Sequence, residues 1–156
     1  MRAISVQQPW AFAMTRGGKG VFNQPAPTGY RGPVLVYASL RVDLGACDSP
    51  LVLAAGWDPG DPLATVGAVI AVAGIEDVCS GAVLDGACDC GPWAEAEAHH
   101  WRLANVTPLP RPVVALGQVG LWEPSATLVT EVRTMLASGA PGLSAAPAAS
   151  AASRAG

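Results

Sequence analysis

One run constrains most of what this chain can fold into: Val66 to Ile75 (Val-Gly-Ala-Val-Ile-Ala-Val-Ala-Gly-Ile) carries no charge and is rich in β-branched residues. Branching at Cβ stiffens χ1 and suits a pleated, packed surface, so the run predicts a central strand. It is far shorter than the roughly 18 to 20 apolar residues a bilayer span needs, and Pro, Gly or a charge interrupts every other apolar stretch. Pro33 to Ser39 (Pro-Val-Leu-Val-Tyr-Ala-Ser) predicts a second strand, apolar on both faces. A chain that is 51% hydrophobic is not disordered, and 18 glycines with 14 prolines in 156 residues break it too often for a helical bundle.

The remaining segments read as short elements around those strands. Ala3 to Val6 predicts a strand, and Pro9 opens a helix through Trp10 to Met14 that Gly17-Gly18 ends. Val21-Phe22 predicts another short strand. Residues 40–65 suggest a helix and a long loop, and Cys79 to Pro92 a polar, Gly-rich insertion. Trp93 to Arg102 reads as helical from its Ala and Glu content, Pro108, Pro110 and Pro112 force an extended path, and residues 113–122 supply one or two closing strands. From Pro124 the period changes: Leu128, Val129, Val132, Met135 and Leu136 share one helical face. Beyond it the chain is nearly all Ala, Ser, Gly and Pro. The expected organisation is one domain over 1–138 and a disordered tail over 139–156. Strands and helices that are segregated rather than alternating imply a small barrel-like α+β domain.

Charge is distributed unevenly. The net charge is -3, yet residues 1–42 hold five basic residues and no acid, whereas 43–97 hold ten acids and no Lys or Arg. Net acidity argues against indiscriminate coating of phosphate backbones, which depends on many basic contacts, while a local basic face remains compatible with an anionic ligand. The scattering of these charges over loops is the competing reading. Eight arginines against one lysine, with abundant Ala, Gly and Pro, suggest a GC-rich coding sequence of actinobacterial or phage type. The start, Met1-Arg2-Ala3-Ile4, runs into Gln7-Gln8-Pro9 without a sustained apolar stretch or small-residue cleavage site. A cytoplasmic protein, monomeric and away from membranes, is the expectation.

Three blocks in order carry a resemblance. They are Ile4-Ser5-Val6-Gln7-Gln8-Pro9-Trp10-Ala11; Gly17-Gly18-Lys19 through Asn23 with Tyr30-Arg31-Gly32 and the following strand to Ser39; and His100-Trp101-Arg102-Leu103 with Gly117-Gln118-Val119-Gly120-Leu121-Trp122. Spanning residues 3–122, they resemble the ASCH family, named for activating-signal-cointegrator homology, within the PUA-like superfamily. The resemblance implies a PUA-like β-barrel with flanking helices and a cleft in which the GxK region faces a nucleic-acid or nucleoside ligand. Members of the family bind RNA or DNA or serve as coactivator modules, and some small relatives hydrolyse acylated cytidine nucleosides or cut RNA. This chain departs from the pattern at Phe22-Asn23-Gln24, where many members have Glu-Asn-Arg, and at Tyr37, where the family strand carries histidine.

The candidate ligand-binding residues are Gln8, Pro9, Trp10, Lys19, Asn23, Tyr30, Arg31 and Gly32. Gln8, Pro9 and Trp10 open a helix whose unpaired backbone N–H groups suit an anion or base carbonyl, and Trp10 offers a stacking face or a core anchor. Lys19 between glycines can contact phosphate, act as base or nucleophile once desolvated, or lie solvated in its loop. Asn23 can read a base edge or hold a turn. Tyr30 can stack and Arg31 can grip a phosphate, or the pair is structural. If the chain is an enzyme, Lys19, Glu95 and His100 are its candidate catalytic groups; His100 as a packed histidine and Glu95 on a solvated helix face are the alternatives. Cys79, Cys88, Cys90 and His99 are weak metal candidates, with His100 equally able to replace one ligand, because eight residues separate Cys79 from Cys88 and Cys88-Asp89-Cys90 is C-x-C rather than C-x2-C, so no cofactor is expected. Cys47 joins them in a count of four thiols expected to stay reduced. The leading expectation is an RNA or nucleotide binder with a salt dependence of about two or three phosphates; a hydrolase of a modified nucleoside, a ribonuclease and a protein-interaction module are the alternatives.

Overall fold

The computed structural model describes residues 1–139; the tail expected from 139 onward lies, except for Gly139, outside the described residues. The apolar runs become a curled, six-stranded half-barrel with four helices, an α+β architecture as expected. In chain order the elements are β1 (Arg2–Gln8), α1 (Trp10–Arg16), β2 (Val21–Gln24), β3 (Gly32–Val42), α2 (Pro50–Ala54), β4 (Ala68–Cys79), α3 (Gly81–Leu84), β5 (His99–Val114), β6 (Leu121–Trp122) and α4 (Ala126–Gly139). Spatial order is β2-β5-β4-β3-β1-β6, so the Val66–Ile75 run does lie inside the sheet. Among the described residues only β1 and β3 pair in parallel, with α1, β2 and their loops forming the connection between them.

Period-2 alternation explains why β3 is apolar and buried from Val34 to Ala38. Val34, Val36 and Ala38 join Ile4, Val6, Ala11, Met14 and Ile70 in one core, while Leu35 and Tyr37 join Ala3, Val69, Trp122, Leu128 and Val132 in another. One side of the sheet is covered by α1 and the other by α4, as the Leu128 and Val132 spacing requires. Ser125 Oγ accepts from the Leu128 N–H and caps the start of α4.

The expected helix over Trp93 to Arg102 does not form. Residues 93–98 are turns, and His99 begins a strand of 16 residues that the three prolines only irregularly disturb. The local reason is the alternation from His100 onward: Trp101 packs edge-on against Phe22, and its indole N–H donates to the Ala26 carbonyl. Burying that ring in the half-barrel outweighs the small helix propensity of the Ala and Glu residues before it. Residues 40–65 hold the end of β3, two short 3₁₀ turns and the short helix α2 with loops between them, and the closing region supplies the last two residues of β5 and then β6.

The two charge blocks meet in space. Arg16 pairs with Asp61 at 2.8 Å, and Arg31 approaches Asp77 at 3.9 Å. Both basic partners are about two-fifths exposed, so these pairs contribute little to stability but consume part of the basic face expected from the sequence.

Candidate functional site

The turn after α1 builds the site. Gly17 and Lys19 both donate their N–H to the Ala13 carbonyl, and Gly18 takes φ +76°, where a side chain would be strained. This reversal sends Lys19 inward rather than into solvent: only 3% of the residue is exposed. Its ammonium donates to the Val21 carbonyl and lies 5.7 Å from the centre of the Trp10 ring. Burial lowers its pKa from 10.5 to about 8, against a smaller upward pull from Glu95. A solvated loop lysine is thereby excluded.

A cavity of about 280 Å³ opens between the end of β1, the start of α1 and β2, lined by Trp10, Lys19, Asn23, Gln24 and Glu95 together with Ser5 to Gln7 and Phe22. Its size is close to the lower end, about 300 Å³, of small-molecule sites. Asn23 ties its outer wall: the amide donates to the Trp93 carbonyl at 3.0 Å and its oxygen accepts from the Glu95 N–H at 3.0 Å. Trp93 also meets Trp10 edge-on at 6.4 Å, and the Trp10 indole N–H donates to Asp43 at 3.1 Å. Both hydrogen-bonding edges of Asn23 are thus engaged with the wall.

The other expected ligand-binding residues stand elsewhere. Gln8 is fully buried: its amide donates to the Leu63 and Thr65 carbonyls at 2.9 Å each, and its oxygen accepts from the Phe12 N–H. It satisfies an N–H of α1 that the sequence reading offered to a ligand, and Pro9 occupies the cap position just before the helix. Tyr30, Arg31 and Gly32 do not line the cavity. The Tyr30 hydroxyl donates to the Pro33 carbonyl with Arg2 stacked on its ring, Arg31 donates to the Thr28 and Tyr30 carbonyls, and Gly32 takes φ +134°. A Cβ at Gly32 would come within 3.2 Å of the Tyr30 hydroxyl.

His100 is fully buried outside the cavity, with Nε2 2.7 Å from the Glu95 carbonyl and Nδ1 3.3 Å from Cys88 Sγ. Its ring thus faces Cys79, Cys88 and Cys90, and the four donor atoms lie within 4.8 Å of one another. Of the two histidines that could complete this cysteine set, His99 points instead to Ser80 Oγ at 2.7 Å. As bare thiols the three crowd each other, and burial followed by hydrogen bonds with Cys79 and Cys88 pushes Cys90 up to about 11. What the sequence could not reveal is register: His100 is the direct cross-strand partner of Cys79.

No protein-family model and no curated protein matches the chain. Among solved structures, a crystal structure of ASCH from Zymomonas mobilis aligns at TM-score 0.51 and 15% identity, covering 94% of this chain and 97% of that one. A tyrosine-to-phenylalanine mutant of the Zymomonas protein aligns at TM-score 0.51 and 13% identity over 86% and 96%. The fold of this chain is therefore ASCH-like.

Proposed function

We propose that this ASCH-like domain binds a single nucleoside unit, free or within a short single-stranded RNA, in the cavity between β1, α1 and β2. The observation that carries the reading is that Lys19, the chain's single lysine, lines a cavity of about 280 Å³ beside Trp10. A cation over an aromatic ring, edged by amide groups, suits a flat polar heterocycle better than a run of phosphates. Lys19 is the only cation in the cavity wall and Arg31 is engaged elsewhere. Salt dependence is accordingly expected to correspond to two phosphates or fewer, a slope no steeper than about -1.4 for a single strand.

A second reading has its own support, because Glu95 shares the cavity with a lysine whose pKa is about 8. Roughly a tenth of Lys19 is then neutral at pH 7 and able to take a proton. Hydrolysis of an N4-acylcytidine would have water add to the acyl carbonyl, Lys19 accept the water proton, and the amine leave with a proton relayed through Glu95. His100 has no part in that scheme, since its Nε2 is engaged by the Glu95 carbonyl away from the cavity.

The deciding experiment is a tryptophan-fluorescence titration with cytidine, N4-acetylcytidine and a short single-stranded RNA, with product analysis on the same samples. Binding that is lost in Lys19→Ala and kept in Arg31→Ala supports the cavity. Release of acetate by wild type but not by Lys19→Ala or Glu95→Gln selects the hydrolase. Equal binding by wild type and Lys19→Ala overturns both.

A further inference from the structure

From Ser80 to Glu97 not one residue is buried, yet this segment supplies the Trp93 and Glu95 wall of the cavity. A stretch of that length whose one large apolar contact is Trp93 against Trp10 has little to offset its ordering entropy. Its strongest shared feature is the convergence of Cys88 and Cys90 on Cys79 and His100, at the paired ends of β4 and β5. We propose that Cys79, Cys88, Cys90 and His100 bind one Zn²⁺ as a structural site that pins the 80–97 segment to the sheet.

The donor set and its spacing fit that ion. Tetrahedral zinc with Zn–S bonds of about 2.3 Å separates its ligands by roughly 3.7 Å. The four donor atoms all lie within 4.8 Å, and His100 Nδ1 is already 3.3 Å from Cys88 Sγ. Contraction by about an ångström therefore completes the shell. Four protein ligands fill the tetrahedron and leave no position for substrate, which makes the site structural.

The outer contacts point the same way. His100 Nε2 lies 2.7 Å from the Glu95 carbonyl, a partner that can only accept, so the proton belongs on Nε2 and Nδ1 presents its lone pair to the cysteines. Arg102 Nη1 lies 3.8 Å from Cys90 Sγ and offsets the single negative charge left when three thiolates meet one Zn²⁺. The backbone turn is shaped for it: a Cβ at Gly81 would fall 2.6 Å from the Ala87 carbonyl, so only glycine lets the loop fold this tightly over Cys79. Binding requires no redox partner: zinc enters and the thiol protons leave to solvent.

The test uses the full chain, purified without chelator from zinc-supplemented medium. Elemental analysis is expected to find one zinc per chain in wild type and in Cys47→Ser, whose thiol lies outside the cluster. The Cys88→Ser/Cys90→Ser double variant is expected to hold at least roughly tenfold less. Both altered positions lie in the loop, so circular dichroism of the sheet should be kept. Cobalt exchange should give the visible bands of a tetrahedral cobalt thiolate in wild type and none in the double variant. Stoichiometric zinc in the double variant overturns the assignment. So does a wild-type chain that takes up neither zinc nor cobalt, or a disulfide among Cys79, Cys88 and Cys90 in the freshly purified protein. None of these readouts depends on nucleoside binding.

Discussion

Replacing Lys19 by methionine tests the buried cation directly. Folding moves this ammonium into a site where its pKa falls from 10.5 to about 8. The unfolded chain therefore holds one more proton than the native chain between those values, and stability rises with pH across that window. Below pH 8 the full penalty of burying the charge is present, about 3 kcal/mol for a shift of this size. By pH 10 about 2.5 kcal/mol of it is relieved. Lys19→Met removes the penalty at every pH and also removes the hydrogen bond to the Val21 carbonyl, whose loss costs about 1.5–3 kcal/mol. The two proteins should therefore start within about 2 kcal/mol of each other at pH 7, and wild type should gain on the variant by about 2.5 kcal/mol at pH 10. Urea unfolding followed by tryptophan fluorescence at pH 7, 8, 9 and 10 measures this, since every other titrating group cancels in the difference. Parallel stability profiles, constant to about 0.5 kcal/mol, would refute a lysine desolvated in the native state.

Three further perturbations separate the site from its scaffold. Asn23→Ala removes both hydrogen bonds to the 93–95 wall and should lower stability by about 1–3 kcal/mol and weaken cytidine binding; unchanged affinity in the same titration would show that the wall is irrelevant to the ligand. Gln8→Leu leaves the Leu63 and Thr65 carbonyls and the Phe12 N–H without their partner, for a loss of about 3 kcal/mol or more in urea unfolding; a near-neutral effect would contradict its place as a buried brace. Gly18→Ala meets no atom within 4 Å but must hold φ +76°, so its cost should be about 1–2 kcal/mol and wholly conformational. Restoration by Gly18→Asn, which tolerates that region better, would confirm the cause, and equal melting temperatures for wild type and alanine variant would dismiss it.

The half-barrel was legible because it depends on patterns that hold locally. β-branched runs with Gly and Pro punctuation placed β1, β2, β3 and β4, Pro9 with Gly17-Gly18 bounded α1, the helical period after Pro124 placed α4, and the opening motifs placed the turn that carries Lys19. Local pattern misled where a long-range contact decided: the Ala and Glu residues before His99 favour helix, but Trp101 against Phe22 holds β5 extended. Charge counting misled similarly, since a basic block stays free only if no acid folds against it, and Arg16 and Arg31 each meet one.

The sequence by itself therefore determined the alternation of apolar residues, the glycine that must follow α1, and the residue types available for chemistry. Tertiary structure decided which of those residues meet. Burial turned a loop lysine into a desolvated one, because the degree of dehydration depends on what packs above it rather than on its neighbours in sequence. The register of β4 against β5 brought His100, and not His99, opposite Cys79, because a shift of one residue exchanges the two faces of a strand.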